Sequence, residues 1–240
     1  NENIKCLPID PGPSGWNELL APPPQPKILE KNIIADWVIV GAGWAGLAAA
    51  RRLTQLVKGE KIVLLEASRI GEGPAGRNSG FMIDVPHNLS TEKYEGNLEN
   101  DKKIIVQNKA SINFSKEAFE EYKMPKDAFN LTGKINAAST KKGLFHNYQF
   151  HEHLKKLGEN SELFDEKKMQ EITGTNYYIG GIFNPGTAMT NPALFVRELA
   201  KGISPIVDIY EKSPVIKKIN ENSNWKIYTP KGTVNTSKII

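Results

Sequence analysis

The chain has 240 residues, 39% hydrophobic and 24% charged, and its net charge of +4 comes from 31 basic and 27 acidic side chains. That length fits one large domain or two intertwined ones, and the charge is spread without a basic block, so no nucleic acid or charged membrane surface is expected as a partner. A single cysteine, Cys6, rules out an internal disulfide framework and suggests a cytoplasmic setting, while the absence of an apolar run of about 18 residues gives no membrane span.

Residues 1–30 hold seven of the fifteen prolines. They read as an extended arm over the surface, neither helix nor central strand, with Trp16, Leu19 and Leu20 as candidates to dock it. ADWVIV then reads as a buried strand, GAGWAG as a glycine turn, LAAARRLTQLV as an apolar-periodic helix and KIVLLEA as a second buried strand. The result is β-α-β, a parallel pair with a crossover helix. After GEGPAGRNSGFMID, residues 91–122 read as helix and FNLTGKINAAST as one strand with Gly133 in its middle. Residues 143–157 and 165–172 read as helices, and YYIGGIFNPGTAMTNP as strand and turn. NPALFVRELAKG reads as a helix with Pro192 in its first turn and Gly202 past its end. IVDIYE, PVIKKIN, NWKIYTP and GTVNTSKII close the sequence as four short strands.

The first chemical signal is GAGWAG. Gly41 suits the tight strand-to-helix turn, Gly43 a close approach of backbone to a pyrophosphate, and Gly46 close packing of helix on strand. The helix N-terminus then offers free N–H groups and the positive end of its dipole. Glu66 ends the second strand 25 residues after Gly41. There an acid would hold ribose hydroxyls and oppose a 2′-phosphate, so the unit is expected to bind a dinucleotide. In a nicotinamide domain the second strand leads into another helix; here it leads into a loop with four glycines in ten residues, Gly71 to Gly80. Two glycine-rich backbones suit a ligand with a pyrophosphate and a flat ring, which favours FAD. A nicotinamide-linked flavoenzyme would want a second G-x-G-x-x-G, and none is expected in these residues.

The stretches GAGWAGLAAA, EASRIGEGPAGRNSG, GGIFNPGTAMTNPALFVRELA and EKSPVIKKI resemble the D-amino-acid oxidase-like flavoproteins, nearest the gamma-glutamylputrescine oxidoreductase and glycine oxidase branch. The resemblance runs from about Ile33 to Ile240 and covers the N-terminal portion of such a protein. It implies an α/β fold, with a Rossmann-type FAD-binding domain carrying an inserted α+β substrate domain. The expected organisation is an arm over 1–30, FAD-binding segments over 31–90 and 190–240, and a substrate or cap domain over 91–189 whose strands roof the flavin ring. It further implies that the natural chain continues past Ile240, or that a homo-oligomer partner or second segment completes the fold.

Residue by residue, the resemblance puts Gly41, Ala42, Gly43, Ala45 and Gly46 around the pyrophosphate and Glu66 on the adenosine ribose. Ala67, Ser68 and Arg69 would border the adenosine. Gly76, Arg77, Asn78, Ser79 and Gly80 would pass beside the pyrophosphate and the ring, and the backbone of Val215 would meet the adenine edge. The loop holds neither cysteine nor histidine, so the FAD is expected to be non-covalent. The implied reaction oxidises a C–N bond of a small amine or amino acid by hydride transfer to flavin N5, giving an imine that hydrolyses; oxygen or another acceptor then takes the electrons. The alternatives are a nicotinamide-linked reductase or monooxygenase, or a non-catalytic FAD-binding subunit.

Arg77 reads as a phosphate or flavin contact, against a salt bridge to a nearby carboxylate. His87 is the one catalytic candidate, since a histidine poises proton transfer near neutral pH, and a loop histidine bonded to backbone is the competing reading. His146, His151 and His153 read as a solvated helix face and no metal site is expected, because helix positions two apart point away from each other.

Overall fold

The fold is that of a computed structural model, which describes residues 2–9, 12–86, 97–221 and 224–240. In chain order the elements begin with β1 (Glu2–Asn3), α1 (Gly15–Glu18), β2 (Asn32–Val40), α2 (Trp44–Leu56), β3 (Ile62–Leu65) and β4 (Phe81–Met82). The middle of the chain forms α3 (Leu98–Glu121), β5 (Phe129–Asn130), β6 (Lys134–Ala138), α4 (Lys141–Leu157), β7 (Glu162–Asp165) and α5 (Glu166–Thr173). There follow β8 (Gly180–Asn184), β9 (Ala188–Thr190), α6 (Pro192–Ile203), β10 (Val207–Tyr210), β11 (Lys217–Glu221), β12 (Asn224–Tyr228) and β13 (Thr233–Ile239). They divide into two compact units, residues 1–79, 119–128 and 191–240, and residues 80–118 with 129–190.

The first unit is built on a seven-stranded sheet of order β1-β11-β12-β13-β2-β3-β10. The β13, β2, β3 and β10 strands run parallel, with Val38 opposite Val63 and Asp208 opposite Val63 on the other side. All four residues of β3 are buried, as expected of an interior parallel strand covered on both faces. Each such side chain contributes roughly 1.5–3 kcal/mol on burial. Leu29, Ala35, Val38, Val63, Leu65, Ile227 and Val234 form one core cluster beneath the sheet. Thus of the four closing strands, β10 and β13 flank the parallel core, and β13 is also the last strand of an antiparallel meander with β11 and β12. The meander starts at Lys217, leaving Val215 in the bend before it.

Helix α6 begins at Pro192 behind an Asn191 cap whose side chain accepts from the Leu194 N–H at 3.0 Å. Gly202 lies inside its last turn rather than past its end. A Cβ there would come within 2.3 Å of the Tyr122 ring, so glycine is required by packing. The arm is largely extended, yet Gly15–Glu18 makes one helical turn capped by Ser14. Trp16 docks through its indole N–H on the Asn78 carbonyl at 2.8 Å, whereas Leu19 stays 76% exposed.

The second unit carries two three-stranded sheets, β4-β9-β5 and β6-β8-β7. The single strand expected over residues 129–140 is broken into β5 and β6, which pair in different sheets. The break is Gly133, at φ +73°, where a Cβ would lie 2.4 Å from the Phe183 ring. Phe150, Leu154, Ile105, Val85 and Ile182 form this unit's core cluster. Among the described residues no helix is long and apolar enough to cross a membrane.

Candidate dinucleotide site

The turn between β2 and α2 is shaped by its glycines. Gly41 sits at φ +97° and donates its N–H to the Leu65 carbonyl at 2.8 Å. A Cβ on Gly46 would meet the Gly41 oxygen at 1.9 Å, so no larger residue fits. Gly43 caps α2 without a side chain to accept from the first-turn N–H groups. These donors are therefore left for another acceptor, the arrangement that favours a bound anion at a helix N-terminus.

Glu66 follows β3, and its carboxylate is held by main-chain donors. Oε2 accepts from the Ala42 N–H at 2.7 Å and Oε1 from the Ser68 N–H at 2.9 Å. Both bonds leave lone pairs unused on a side chain whose orientation is already set.

Two cavities meet at Glu66. One, of about 570 Å³, is lined by Val40, Gly41, Leu65, Ala67, Val215 and Ile240, with Ile4, Cys6, Leu7 and Pro8 of the arm. The other, of about 490 Å³, is lined by Ala42 to Ala45, Arg69, Gly71 and Gly73 to Ala75. Their sizes lie within the range of cofactor clefts. A mostly apolar pocket, a carboxylate held by main-chain donors and an uncapped helix end lie in sequence, and the residues fit a dinucleotide.

The second glycine loop contains the same spacing as the first, Gly71-x-Gly73-x-x-Gly76, which corrects the expectation that no other such turn exists. Gly71 has φ +84°, and a Cβ on Gly76 would lie 1.9 Å from the Gly71 oxygen. It opens only a three-residue 3-10 turn with Pro74 at its start, so it offers no second α-helix dipole. The two loops are joined by Trp44, whose indole N–H donates to the Ala75 carbonyl at 3.0 Å while its ring stacks on Phe195 at 4.8 Å. Sequence reasoning passed over Trp44; the signal was a large aromatic at a variable position of a glycine turn.

The two cavities thus bring together Gly41, Ala42, Gly43, Ala45, Glu66, Ala67 and Val215, while Gly46 lines neither and packs against the Gly41 carbonyl. Arg69 also lines the second cavity, but its guanidinium is engaged by Glu211 at 3.1 Å and by the Pro24 carbonyl. Ser68 donates its hydroxyl to Glu72 at 3.0 Å. Arg77 donates to the main-chain carbonyls of Glu72 and Gly12, so its described partners are backbone oxygens and not a carboxylate. Asn78 and Ser79 are exposed, and the Asn78 amide donates to the Ala75 carbonyl at 3.0 Å. Gly80 belongs to the second unit, where its carbonyl accepts from the Thr190 amide at 2.8 Å. His87 lies outside the described residues.

The histidines of α4 differ from the expected solvated face. His153 is buried and hydrogen-bonds Asp101 at 2.8 Å, because it shares the inward face with Phe150 and Leu154. His151 meets the Ser161 hydroxyl at 2.7 Å. Among the described residues no group of three or more His, Cys, Asp or Glu side chains is arranged to hold a metal.

The profile of a family described as FAD dependent oxidoreductase matches residues 36–240. The probable oxidoreductase OrdL of Haemophilus influenzae is 27% identical over 217 residues, covering 86% of this chain and 48% of its own length. The gamma-glutamylputrescine oxidoreductase of Escherichia coli is 43% identical over 56 residues, 23% of this chain and 13% of that protein. Among solved structures, glycine oxidase from Geobacillus kaustophilus superposes with a TM-score of 0.69 at 18% identity, over 86% of this chain and 54% of that one. L-amino acid deaminase from Proteus myxofaciens gives 0.69 at 15% identity, over 99% and 49%. The chain therefore spans about half the length of the relatives it matches, and the likeness to the solved structures is one of fold.

Proposed function

Because the chain belongs to the family of FAD-dependent oxidoreductases, we propose that it forms the FAD-binding part of an enzyme that oxidises a C–N bond of an amine or amino acid. The observation that carries the FAD reading is the run of Val215, Glu66 and the uncapped α2 N-terminus along two adjoining cavities. The C–N reading is supported by the names of its relatives, a gamma-glutamylputrescine oxidoreductase by sequence and glycine oxidase and L-amino acid deaminase by fold.

In this reading Ala67 and Val215 border the adenine, and Glu66 accepts from the ribose hydroxyls with the lone pairs its main-chain bonds leave free. The N–H groups of the first turn of α2 face the pyrophosphate, and Gly43 lets the backbone approach it. The Gly76–Gly80 stretch passes toward the ring. When bound, FAD supplies a two-electron acceptor for the substrate. The absence of cysteine and histidine from Gly71–Gly80 supports a cofactor held without a covalent bond.

The experiment uses the full-length protein, kept anaerobic, with its visible flavin absorbance followed during addition of amines, amino acids, glycerol 3-phosphate or NADH. Bleaching by an amine or amino acid is the expected result. Bleaching by glycerol 3-phosphate alone moves the reading to C–O oxidation, as the name of a glycerophosphate oxidase sharing the fold suggests. Bleaching by NADH alone replaces the reading with a nicotinamide-linked one, and a flavin that no donor reduces leaves a non-catalytic FAD-binding subunit.

A further inference from the structure

The proline-rich arm reaches the glycine-lined site at two places. Near its start, Asn3 pairs with Lys217 and the Ile4 N–H donates to the Ile216 carbonyl at 2.9 Å. The arm is thereby tied to the edge of the sheet, and Ile4, Cys6, Leu7 and Pro8 line the cavity that also holds Val215 and Ala67. Pro8 continues into the second cavity, opposite Gly43 and Ala45.

Further on, three side chains of the arm donate to carbonyls of the second glycine loop. Ser14 Oγ bonds Gly76 O at 3.0 Å, Trp16 Nε1 bonds Asn78 O at 2.8 Å, and Asn17 Nδ2 bonds Gly71 O at 2.7 Å. Arg77 reciprocates by donating to the Gly12 carbonyl. A surface arm with no role at the site would need neither set of contacts. The loop, with only a 3-10 turn of its own, would have fewer partners for its carbonyls without them.

We propose that the arm is a working part of the FAD site: Ile4–Pro8 form a wall over the adenosine end, and Ser14, Trp16 and Asn17 are positioning residues for the Gly71–Asn78 loop. This rests on the FAD reading above. Cys6 serves as the reporter, since it is exposed and yet lines the cavity.

The test uses the full-length protein stripped of flavin. Alkylation of Cys6 by N-ethylmaleimide is followed by peptide mass spectrometry, alone and with FAD, ADP or FMN, while flavin fluorescence quenching reports the binding of FAD and FMN, and displacement of FAD reports that of ADP. FAD and ADP are each expected to slow Cys6 by about tenfold, since bound nucleotide keeps the arm closed, and FMN, lacking adenosine, leaves its rate as in the free protein. The double variant Trp16→Phe with Asn17→Ala is expected to weaken FAD binding by about tenfold through the loss of two hydrogen bonds, while Leu19→Ala leaves it unchanged. Circular dichroism shows that each variant is folded before its affinity is read. Quenched flavin with Cys6 as reactive as before overturns the wall, and an unchanged FAD affinity in the folded double variant overturns the positioning role. Failure to bind FAD at all removes the parent reading and this inference with it.

Discussion

The carbonyl oxygen of Gly71 stands 1.9 Å from where a Cβ on Gly76 would be, and the same 1.9 Å separates the Gly41 oxygen from a Cβ on Gly46. The two loops therefore share one backbone device, a glycine at positive φ whose carbonyl folds back over a second glycine five residues on. Only the first opens an α-helix, so only the first has a helix dipole to offer.

That device separates folding from binding. Gly46→Ala and Gly76→Ala each force a methyl group into a carbonyl and are expected to cost about 1–3 kcal/mol of stability, read as a lower Tm of the flavin-free protein. At Gly43 the nearest atom to an added Cβ is the Ala75 methyl at 3.9 Å. Gly43→Ala should therefore fold as well as the parent and still bind FAD about tenfold more weakly, because the methyl stands where backbone must approach phosphate. A Gly43→Ala protein with full FAD affinity contradicts the pyrophosphate assignment.

Glu66 makes a different case. Its two oxygens accept from Ala42 and Ser68, and a glutamine can accept with only one of its two terminal atoms. Glu66→Gln is expected to lose about 1–3 kcal/mol, as one main-chain donor faces an amide nitrogen, and FAD affinity falls with it. Equal thermal stability and equal FAD titration curves for the two proteins would show that this carboxylate does neither job.

Gly202 offers a check away from the cofactor. Gly202→Ala drives a Cβ to 2.3 Å from the Tyr122 ring, an overpacking that costs about 1–3 kcal/mol. Tyr122→Leu should recover part of that loss in a double-mutant cycle. Additive losses in chemical denaturation would mean that the two residues do not meet.

The pH dependence has a definite sign at His151. Burial holds its pKa below the usual 6.5, Lys155 pushes the same way, and Glu152 opposes. A lowered folded pKa means that the native state binds this proton less readily than the unfolded chain. The stability linked to the neutral ring is fully present above about pH 6.5 and is lost as pH falls through the folded value. His151→Gln should flatten the fall in Tm between about pH 7 and pH 5. An unchanged slope in the variant assigns that fall to other groups.

Much of the first unit was legible because its signals are local. Apolar runs flank GAGWAG, and Glu66 closes the second strand, so the β-α-β unit could be read within a few residues of its ends. What escaped depends on distant partners. Trp16 was named as a docking residue, but its partner is a carbonyl 62 residues away, and the burial of His153 goes with Asp101, 52 residues away. No periodicity encodes either. The break at Gly133 escaped for a related reason: its neighbours on both sides suit a strand, and what excludes a side chain there is the ring of Phe183. Gly71–Gly76 was seen as a dense glycine loop but not as a repeat of the first, since no helix follows it.

The account stands on FAD in the cleft that Glu66 divides. Its most direct test is the flavin content of the full-length protein, measured by absorbance before and after acid precipitation. One FAD per chain, released intact into the supernatant, is the result expected of a non-covalent cofactor. A protein that carries no flavin and takes up none when FAD is added contradicts the account.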